Sequence, residues 1–252
     1  MNDLFDNLYD QKKTAPLAER MRPQSLKEFL GQSHIAEEGS LLRRAISLDR
    51  LGSCIFWGPP GSGKTTLANI IANSTDAKFV KLNAVSSGVA DVKRVTEKAK
   101  EDLRLFNKRT YLFLDECHRF NKAQSDSLLP AIESGTIFFI GSTTENPFAS
   151  MTPAIVSRCR VFELKRLTDE IIEKALYNAI NDKKRGFPNV ELKVDDAAVR
   201  HIALMSGGDL RIAYNALELA VLTTPPNIDG VVHVTVKDAE QSIQKKVLSY
   251  DE

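Results

Sequence analysis

The sequence Gly58-Pro59-Pro60-Gly61-Ser62-Gly63-Lys64-Thr65 matches the pattern G-x-x-x-x-G-K-[ST] at every fixed position. A short apolar run, residues 54–57, precedes it and is typical of a strand, and a helical pattern that starts at Thr66 follows it. A glycine-rich loop between a strand and a helix is the setting in which this pattern binds phosphate. The segment therefore predicts a nucleotide-binding loop. The alternative is a chance match in an irregular loop rich in glycine and proline.

The residue types in this loop suit the phosphates of a nucleotide. Glycine has no Cβ, so backbone N–H groups can approach the phosphates, and the following helix offers unpaired N–H groups and a positive dipole. Lys64 is long enough to reach the β- and γ-phosphates, and the Thr65 hydroxyl suits a Mg²⁺ ion that keeps most of its waters. We therefore expect residues 58–66 to bind the nucleotide and its metal ion.

The composition is that of an ordinary soluble globular protein. The 252 residues are 42% hydrophobic, and the net charge of +1 gives no overall sign of a nucleic-acid partner. The three cysteines, Cys54, Cys117 and Cys159, lie far apart, which argues against a zinc site or a disulfide scaffold and suits a reducing cytosol. No apolar run approaches the ~20 residues that span a membrane, and no signal-peptide pattern is present. We expect a cytoplasmic protein without a membrane partner.

Two adjacent acids, Asp115 and Glu116, follow the near-continuous apolar strand pattern of residues 110–114. In an open parallel sheet, ligands bind at the carboxyl ends of the strands. Asp115 is therefore predicted to hold Mg²⁺ through water, and Glu116 to orient and deprotonate an attacking water. The alternative is a pair of solvated loop acids. A polar residue after the strand pattern of residues 137–141 could touch the γ-phosphate or the water in the same way.

Strand and helix patterns alternate up to about residue 165 and predict a doubly wound α/β domain with a parallel sheet. The strand patterns are residues 54–57, 79–83, 110–114, 137–141 and 161–164, and the helix patterns include 40–51, 91–106 and 121–134. From residue 167 the patterns are helical, with no convincing strand between them: 168–184, 195–205, 209–222 and 235–247. The predicted divisions are a tail at 1–15, an α/β domain at 16–165, an all-α lid at 166–247 and a tail at 248–252. The first tail is either disordered or a docking peptide.

Charged residues on two helices leave alternatives open. Asp209 is predicted to cap the third lid helix, which places Arg211 in the first turn, where the helix dipole disfavours a cation. Arg211 therefore indicates a phosphate contact, or it is a plain surface arginine. The helix at residues 91–106 carries both signs of charge on its polar side. That face is either a solvated surface or a nucleic-acid contact.

Taken together, these motifs resemble those of the AAA+ ATPases. They occur in the order of residues 58–65, 115–116, Thr144, Ser157-Arg158-Cys159 and 207–211. Ser-Arg-Cys resembles the arginine-finger motif of sliding-clamp loaders, and residues 16–23 with Gly31-Gln32 look like the segment that borders the adenine in that branch. More closely, residues 115–122 and 140–147 resemble the replication-associated recombination protein A family, whose bacterial members are also called MgsA. Its eukaryotic relatives are the Werner-helicase-interacting proteins. The resemblance covers about residues 14–247.

The resemblance implies ATP and Mg²⁺ as cofactors and a role for each matching residue. Lys64 and Thr65 would bind phosphate and Mg²⁺, Asp115 would hold the metal, and Glu116 would be the catalytic base. Thr144 would be sensor 1, with the neighbouring Thr143 as the alternative contact. The implied roles of the remaining residues are an arginine finger acting on a neighbouring subunit for Arg158, sensor 2 in the lid for Arg211, and an adenine border for Arg22, Pro23 and Ile35.

The resemblance also implies a biological setting. Family members are similar to clamp loaders, act at stalled forks and gaps, bind single- and double-stranded DNA ends, and assemble as tetramers. The implied function is ATP-driven remodelling of DNA, or of a partner such as single-stranded DNA-binding protein, in the nucleoid. Family members continue into a further helical domain that makes the tetramer, so this chain is expected to lack it and self-assembly is left open. The alternatives are a small-molecule kinase, a nucleotide-gated DNA scaffold, and a clamp-loader or Holliday-junction motor subunit.

Overall fold

The computed structural model describes residues 15–243. They form two compact units, one of residues 23–165 and one that joins residues 15–22 to residues 166–243. Residues 16–22, which the sequence analysis assigned to the α/β domain, thus group with the helical unit. The predicted tail at 248–252, and all of the tail at 1–15 except Ala15, lie outside the described residues. No helix in the described part of the chain is long and apolar enough to cross a membrane.

The sheet unit contains five parallel strands in the order β2-β3-β4-β1-β5, which confirms the predicted fold class. The strands are β1 Cys54–Trp57, β2 Lys78–Asn83, β3 Thr110–Asp115, β4 Ile137–Thr143 and β5 Arg160–Glu163. Because consecutive strands are parallel, each connection crosses the sheet and ends where the next strand begins. All five carboxyl ends therefore lie at one edge, and β4 lies between β1 and β3 at that edge.

Helices cover both faces of this sheet. They are α2 Ser33–Ala36, α3 Leu41–Ser47, α4 Lys64–Asn73, α5 Val89–Phe106, α6 Lys122–Glu133, α7 Pro147–Ser150 and α8 Pro153–Val156, with a 3₁₀ turn at Cys117–Arg119. Successive residues of β3 alternate between the two faces. Leu112 and Leu114 pack with α5 and α6 on one side. Tyr111 and Phe113 pack with α3 and α4 on the other.

Helix α3 ends at Ser47, four residues before the end that the sequence predicts. Asp49 takes a left-handed backbone conformation with φ 49°, which no helix can continue through. Its side chain accepts a hydrogen bond from the Thr75 hydroxyl at 2.6 Å and is ion-paired with Arg109. The longer helix was therefore a wrong prediction, because tertiary contacts from two distant residues turn the chain at Asp49.

The helical unit consists of α1 Leu17–Arg20, α9 Asp169–Asn181, α10 Asp196–Ser206, α11 Leu210–Thr223 and α12 Val236–Ser242. The expectation of no strand between the lid helices is wrong: β6 Glu191–Val194 pairs in parallel with β7 Val231–Val234. Each strand has only four residues, which is too short for a period-two pattern to stand out from the sequence. Residues 244–247, the predicted end of the last helix, lie outside the described residues.

Candidate nucleotide-binding and catalytic site

Hydrogen bonds join the ends of three neighbouring strands. The Gly58 N–H donates to the carbonyl of Thr143, the last residue of β4, at 3.2 Å. The Ser142 hydroxyl donates to Oδ1 of Asp115, the last residue of β3. The predicted nucleotide loop and the predicted metal-binding carboxylate are therefore fastened to the same strand end.

Two glycines of the loop have no room for a side chain. Gly58 has φ 146°, and a Cβ at this position would lie 2.1 Å from the carbonyl oxygen of Leu164. Gly63 has φ 105°, and its Cβ would lie 2.8 Å from the Phe29 ring. Both positions combine a left-handed backbone with close packing, so glycine is required at each of them. Packing within the protein thus fixes the shape of the loop.

Lys64 is the first residue of α4 and is buried, with 9% of its surface exposed. Its Nζ donates to the carbonyl oxygens of Gly58 at 2.8 Å and Pro59 at 2.9 Å, so the ammonium group lies across the inside of the loop. Thr65 and Thr66 continue the first turn of α4, whose N–H groups have no partner within the helix. The arrangement concentrates positive charge and N–H donors where the sequence predicts phosphates.

Gln32 supports the nucleotide loop through side-chain hydrogen bonds. This residue is buried, and its side-chain amide donates to the carbonyls of Ser62 at 3.2 Å and Lys165 at 2.7 Å. Its Oε1 accepts from the Lys165 N–H at 2.8 Å. One side chain therefore ties the nucleotide loop to the segment that follows β5. In the sequence, Gln32 stands out only as part of the Gly31-Gln32 motif, which does not indicate this role.

The two predicted acids lie where β3 ends. Asp115 is half-buried, and the hydrogen bond from Ser142 fixes its carboxylate. Glu116 has φ 56° and ψ 42°, a left-handed conformation that ends the strand and starts the 3₁₀ turn. Left-handed non-glycine residues are uncommon and often occur at functional sites. The donor set expected around a metal, the Thr65 hydroxyl and the Asp115 carboxylate, consists of oxygen atoms and fits Mg²⁺.

The two candidates for sensor 1 differ in burial. Thr143 is fully buried at the end of β4, and its Oγ1 accepts from the Glu145 N–H at 3.0 Å. Thr144 follows the strand and is exposed. Both threonines therefore remain candidates for the γ-phosphate contact, one inside the strand end and one at the surface. His118, which the sequence analysis gave no role, lies 2.8 Å from Thr143, measured from Nδ1 to Oγ1.

The two predicted arginines lie in different units. Arg158 follows α8 in the sheet unit, where Nη1 donates to the Ala154 carbonyl at 2.7 Å and Nη2 is ion-paired with Glu133. Arg211 lies in the helical unit, exposed, in the first turn of α11. The predicted cap is confirmed, since Asp209 accepts from the Arg211 N–H at 3.0 Å. Of the predicted adenine-border residues, Arg22 belongs to the helical unit, and Pro23 and Ile35 belong to the sheet unit.

The cysteine thiols of the sheet unit are held in their protonated form by burial. Burial raises the pKa of Cys54 and Cys117 well above the ordinary thiol value. Burial also raises the pKa of Cys159 to about 12. The thiolate is the reactive form of cysteine, so burial disfavours the reactive form of all three.

Comparison with known families agrees with this geometry. The profile described as "Holliday junction DNA helicase RuvB P-loop domain" matches residues 21–152, and the one described as "AAA C-terminal domain" matches residues 188–252. The first match covers the nucleotide loop, Asp115, Glu116 and Thr144, but ends before Arg158.

Proteins with similar sequences are named as a replication-associated recombination protein and as an ATPase. The replication-associated recombination protein A of Bacillus subtilis is 44% identical over 236 residues, which are 94% of this chain and 55% of that protein. The ATPase WRNIP1 of Dictyostelium discoideum is 42% identical over 84% of this chain and 24% of that protein. This chain thus spans about half of the bacterial relative. A solved structure of Thermotoga maritima RuvB, a Holliday junction branch migration motor, matches with TM-score 0.70 and 27% identity over 88% of this chain and 72% of that chain.

Proposed function

Because this chain belongs to the RuvB P-loop family of AAA+ ATPases and is related to replication-associated recombination protein A, we propose that it hydrolyses ATP where β1, β3 and β4 end. The observation that carries the proposal is the hydrogen-bonded junction of Gly58, Thr143, Ser142 and Asp115. It fastens a phosphate-binding loop to the Asp115 carboxylate, directly before the proposed base Glu116.

The phosphates of ATP would accept hydrogen bonds from the N–H and ammonium groups that face the inside of the loop. Lys64 would move its Nζ from the carbonyls of Gly58 and Pro59 to the β- and γ-phosphates, and the N–H groups of the loop and of the first turn of α4 would complete the cradle. Thr65 and Asp115 would hold Mg²⁺, which supplies neutralisation of the phosphate charge. Arg22, Pro23 and Ile35 would border the adenine.

Glu116 is the proposed general base. It would accept a proton from the water that attacks the γ-phosphate, while the phosphorus–oxygen bond to ADP breaks and inorganic phosphate leaves. Its position one residue after Asp115 brings the base and the metal-binding group together at the end of β3. Thr144, with Thr143 as the alternative, would orient the water or contact the γ-phosphate.

Two arginines would complete the active site. Arg158 would contact ATP bound to a neighbouring subunit, and Arg211 would contact the γ-phosphate from the lid. Loss of the γ-phosphate would release these contacts and let the lid rotate, as in other nucleotide switches. Both roles rest on the family resemblance and on the exposed positions of the two side chains.

The proposed task is remodelling of DNA, or of a protein bound to it, in replication-fork maintenance, recombination and repair. The names of the relatives support this task. We propose forked or gapped DNA and single-stranded DNA-binding protein as partners, a tetrameric assembly in the longer protein, and a location in the cytoplasm at the nucleoid. The similarity to a branch migration motor favours one further candidate, a motor subunit acting on Holliday junctions.

The test is an ATPase assay with two variants that separate binding from hydrolysis. Lys64→Ala should lose both nucleotide binding and turnover. Glu116→Gln should bind a fluorescent ATP analogue like the wild type, yet turn over at least about a hundredfold more slowly. Equal turnover by the wild type and both variants would refute the proposal.

The DNA part of the proposal needs its own measurement. Turnover should rise when single-stranded, gapped or four-way junction DNA is added, and the rise should weaken as salt increases, because phosphate contacts release counterions. The same three DNAs distinguish the fork-remodelling and junction-motor candidates by which of them stimulates most. A DNA affinity that is the same with ATP, with ADP and with no nucleotide would instead favour a passive scaffold.

A further inference from the structure

One buried imidazole in the sheet unit has no role in the mechanism above. His118 lies in the 3₁₀ turn that follows Glu116, and only 8% of its side chain is exposed. Its Nδ1 lies 2.8 Å from the Thr143 hydroxyl. Its Nε2 lies 3.6 Å from a carboxylate oxygen of Glu116 and 3.5 Å from one of Glu145. The ring therefore stands between the end of β4 and the proposed base.

The hydrogen-bond geometry indicates which nitrogen of His118 carries the proton. The Thr143 hydroxyl has two possible acceptors, Nδ1 of His118 at 2.8 Å and the Glu145 carbonyl at 3.4 Å, and the shorter contact is the better one. If the hydroxyl donates to Nδ1, the neutral ring carries its hydrogen on Nε2. That hydrogen then faces the carboxylates of Glu116 and Glu145, which can only accept.

The contacts form a continuous path between the nucleotide loop and the base. Gly58 donates its N–H to the Thr143 carbonyl, the Thr143 side chain contacts His118, and His118 faces Glu116. Thr143 thus touches the loop through its backbone and the histidine through its side chain. The contact between His118 Nε2 and the Glu116 carboxylate, at 3.6 Å, is longer than a hydrogen bond. A small movement would turn it into one.

We propose that His118 is a positioning residue that sets the carboxylate of Glu116 for hydrolysis and links its placement to the end of β4. The inference rests on the proposed ATPase function. Glu145 competes with Glu116 for the hydrogen bond from Nε2–H. A shift at the end of β4 would therefore change how strongly His118 interacts with Glu116. His118 makes no contact with the substrate in this role and acts only through Glu116.

Two substitutions separate the two ends of the ring. In His118→Gln the side-chain amide reaches the place of Nε2, whereas in His118→Asn it reaches only the place of Nδ1. The measurement is single-turnover hydrolysis with the protein in excess over ATP, together with the affinity for an ATP analogue and the melting temperature. We expect His118→Asn to hydrolyse about ten- to a hundredfold more slowly, since misplacement of a reacting group by 1 Å has that effect. His118→Gln should stay within about threefold of the wild type, and all three proteins should bind the analogue equally.

The outcomes distinguish this inference from the proposed function. If Lys64→Ala hydrolyses ATP as fast as the wild type, the ATPase assignment fails. If Lys64→Ala is inactive but His118→Asn matches the wild type, only the role of His118 fails. Equal losses in His118→Asn and His118→Gln, accompanied by a lower melting temperature, would reduce His118 to a packing residue and also overturn the inference.

A second measurement does not depend on activity. Long-range ¹H–¹⁵N spectra of the ring nitrogens report the tautomer of each of the four histidines in the sequence, and His118→Gln identifies the signal of His118. We expect the hydrogen on Nε2, a change at Nδ1 in Thr143→Val, and a change at Nε2 in Glu116→Gln. A ring with its hydrogen on Nδ1 alone would contradict the inference even in an inactive preparation.

Discussion

Glu116, the proposed general base, has a backbone conformation that costs energy. At φ 56° and ψ 42° its Cβ is crowded by the backbone, a strain of about 1–2 kcal/mol for residues other than glycine. This conformation turns the chain from the end of β3 into the 3₁₀ turn that carries His118. Function and stability are therefore expected to conflict at this residue.

Two substitutions of Glu116 should expose this conflict. Glu116→Gly and Glu116→Ala both remove the carboxylate, so both should abolish hydrolysis, but only glycine relieves the strain. We expect the free energy of unfolding of the glycine variant to be about 1 kcal/mol higher than that of the alanine variant, so the glycine variant is the more stable one. Denaturant titration measures the difference.

A matched pair in a helix provides the control for Glu116. Glu97 is exposed within α5, where glycine is about 1 kcal/mol less favourable than alanine. The order of stability should therefore reverse between the two sites, with Glu97→Ala above Glu97→Gly. The same order at both sites would contradict a strained Glu116.

The sequence revealed some site residues and concealed others for a physical reason. Lys64 and Asp115 could be predicted because a motif in consecutive residues specifies them. His118, Ser142 and Gln32 act through partners that lie far along the chain, such as Lys165, 133 residues from Gln32. A useful signal was nevertheless present, since Ser142 and Thr143 are polar residues that continue an otherwise apolar strand.

At the scale of elements, the sheet was easier to predict than its surroundings. Strands such as β3 are buried on both faces, so their apolar runs stand out, and helices such as α5 show a clear period. In strand β6 polar and apolar residues alternate over only four positions, and in strand β7, Val231-Val232-His233-Val234, the sequence does not alternate, although the burial of its residues does. The early end of α3 depends on Arg109, 60 residues from Asp49, and no local pattern records that contact.

Residues 15–22 also owe their placement to distant contacts. The carboxylate of Glu218 on α11 accepts from the Leu17 N–H at 2.9 Å and from the Arg20 guanidinium at 2.8 Å. Arg20 donates further hydrogen bonds to the carbonyls of Arg185 at 2.8 Å and Gly186 at 2.7 Å. These bonds join α1 to the helical unit, although the sequence places it directly before the sheet unit.

The loop that carries the nucleotide depends on Gln32, and this dependence can be tested. Gln32→Glu keeps the acceptor for the Lys165 N–H but replaces both amide donors with a buried carboxylate facing the carbonyls of Ser62 and Lys165. We expect it to lower stability by about 1–3 kcal/mol, because buried polar groups lose their partners. It should also weaken nucleotide binding, as the loop loses its support. Thermal unfolding and titration with an ATP analogue measure both effects.

Two further variants sharpen the test of Gln32. Gln32→Met preserves length without introducing charge, so it should fall between the wild type and Gln32→Glu. Gln241→Glu adds the same charge at an exposed position of the helical unit and should change neither quantity. If nucleotide affinity is unchanged in Gln32→Glu while stability falls, Gln32 supports the fold and not the loop.

At the scale of the whole molecule, the proposed role of Arg158 as an arginine finger would require a second copy of the chain. Arg158 is exposed on the sheet unit, and its ion pair with Glu133 keeps the guanidinium at the surface. An arginine finger is worth about 10³–10⁵ in rate. A monomer of this chain should therefore hydrolyse ATP feebly, with specific activity rising as protein concentration favours assembly. Robust turnover at a concentration where sedimentation shows only monomer would contradict the role of Arg158 between subunits.

Mixing two inactive variants tests that role directly. Lys64→Ala lacks a functional nucleotide loop but keeps Arg158, whereas Arg158→Ala keeps the loop but lacks the finger. If the finger acts on a neighbour, an equal mixture should recover about a quarter of wild-type turnover, because that fraction of head-to-tail contacts joins an intact loop to an intact finger. If Arg158 acted within its own subunit, no mixture would recover activity. Glu133→Gln is the control, since it removes the ion pair but leaves Arg158 in place, and it should remain active with or without a partner variant.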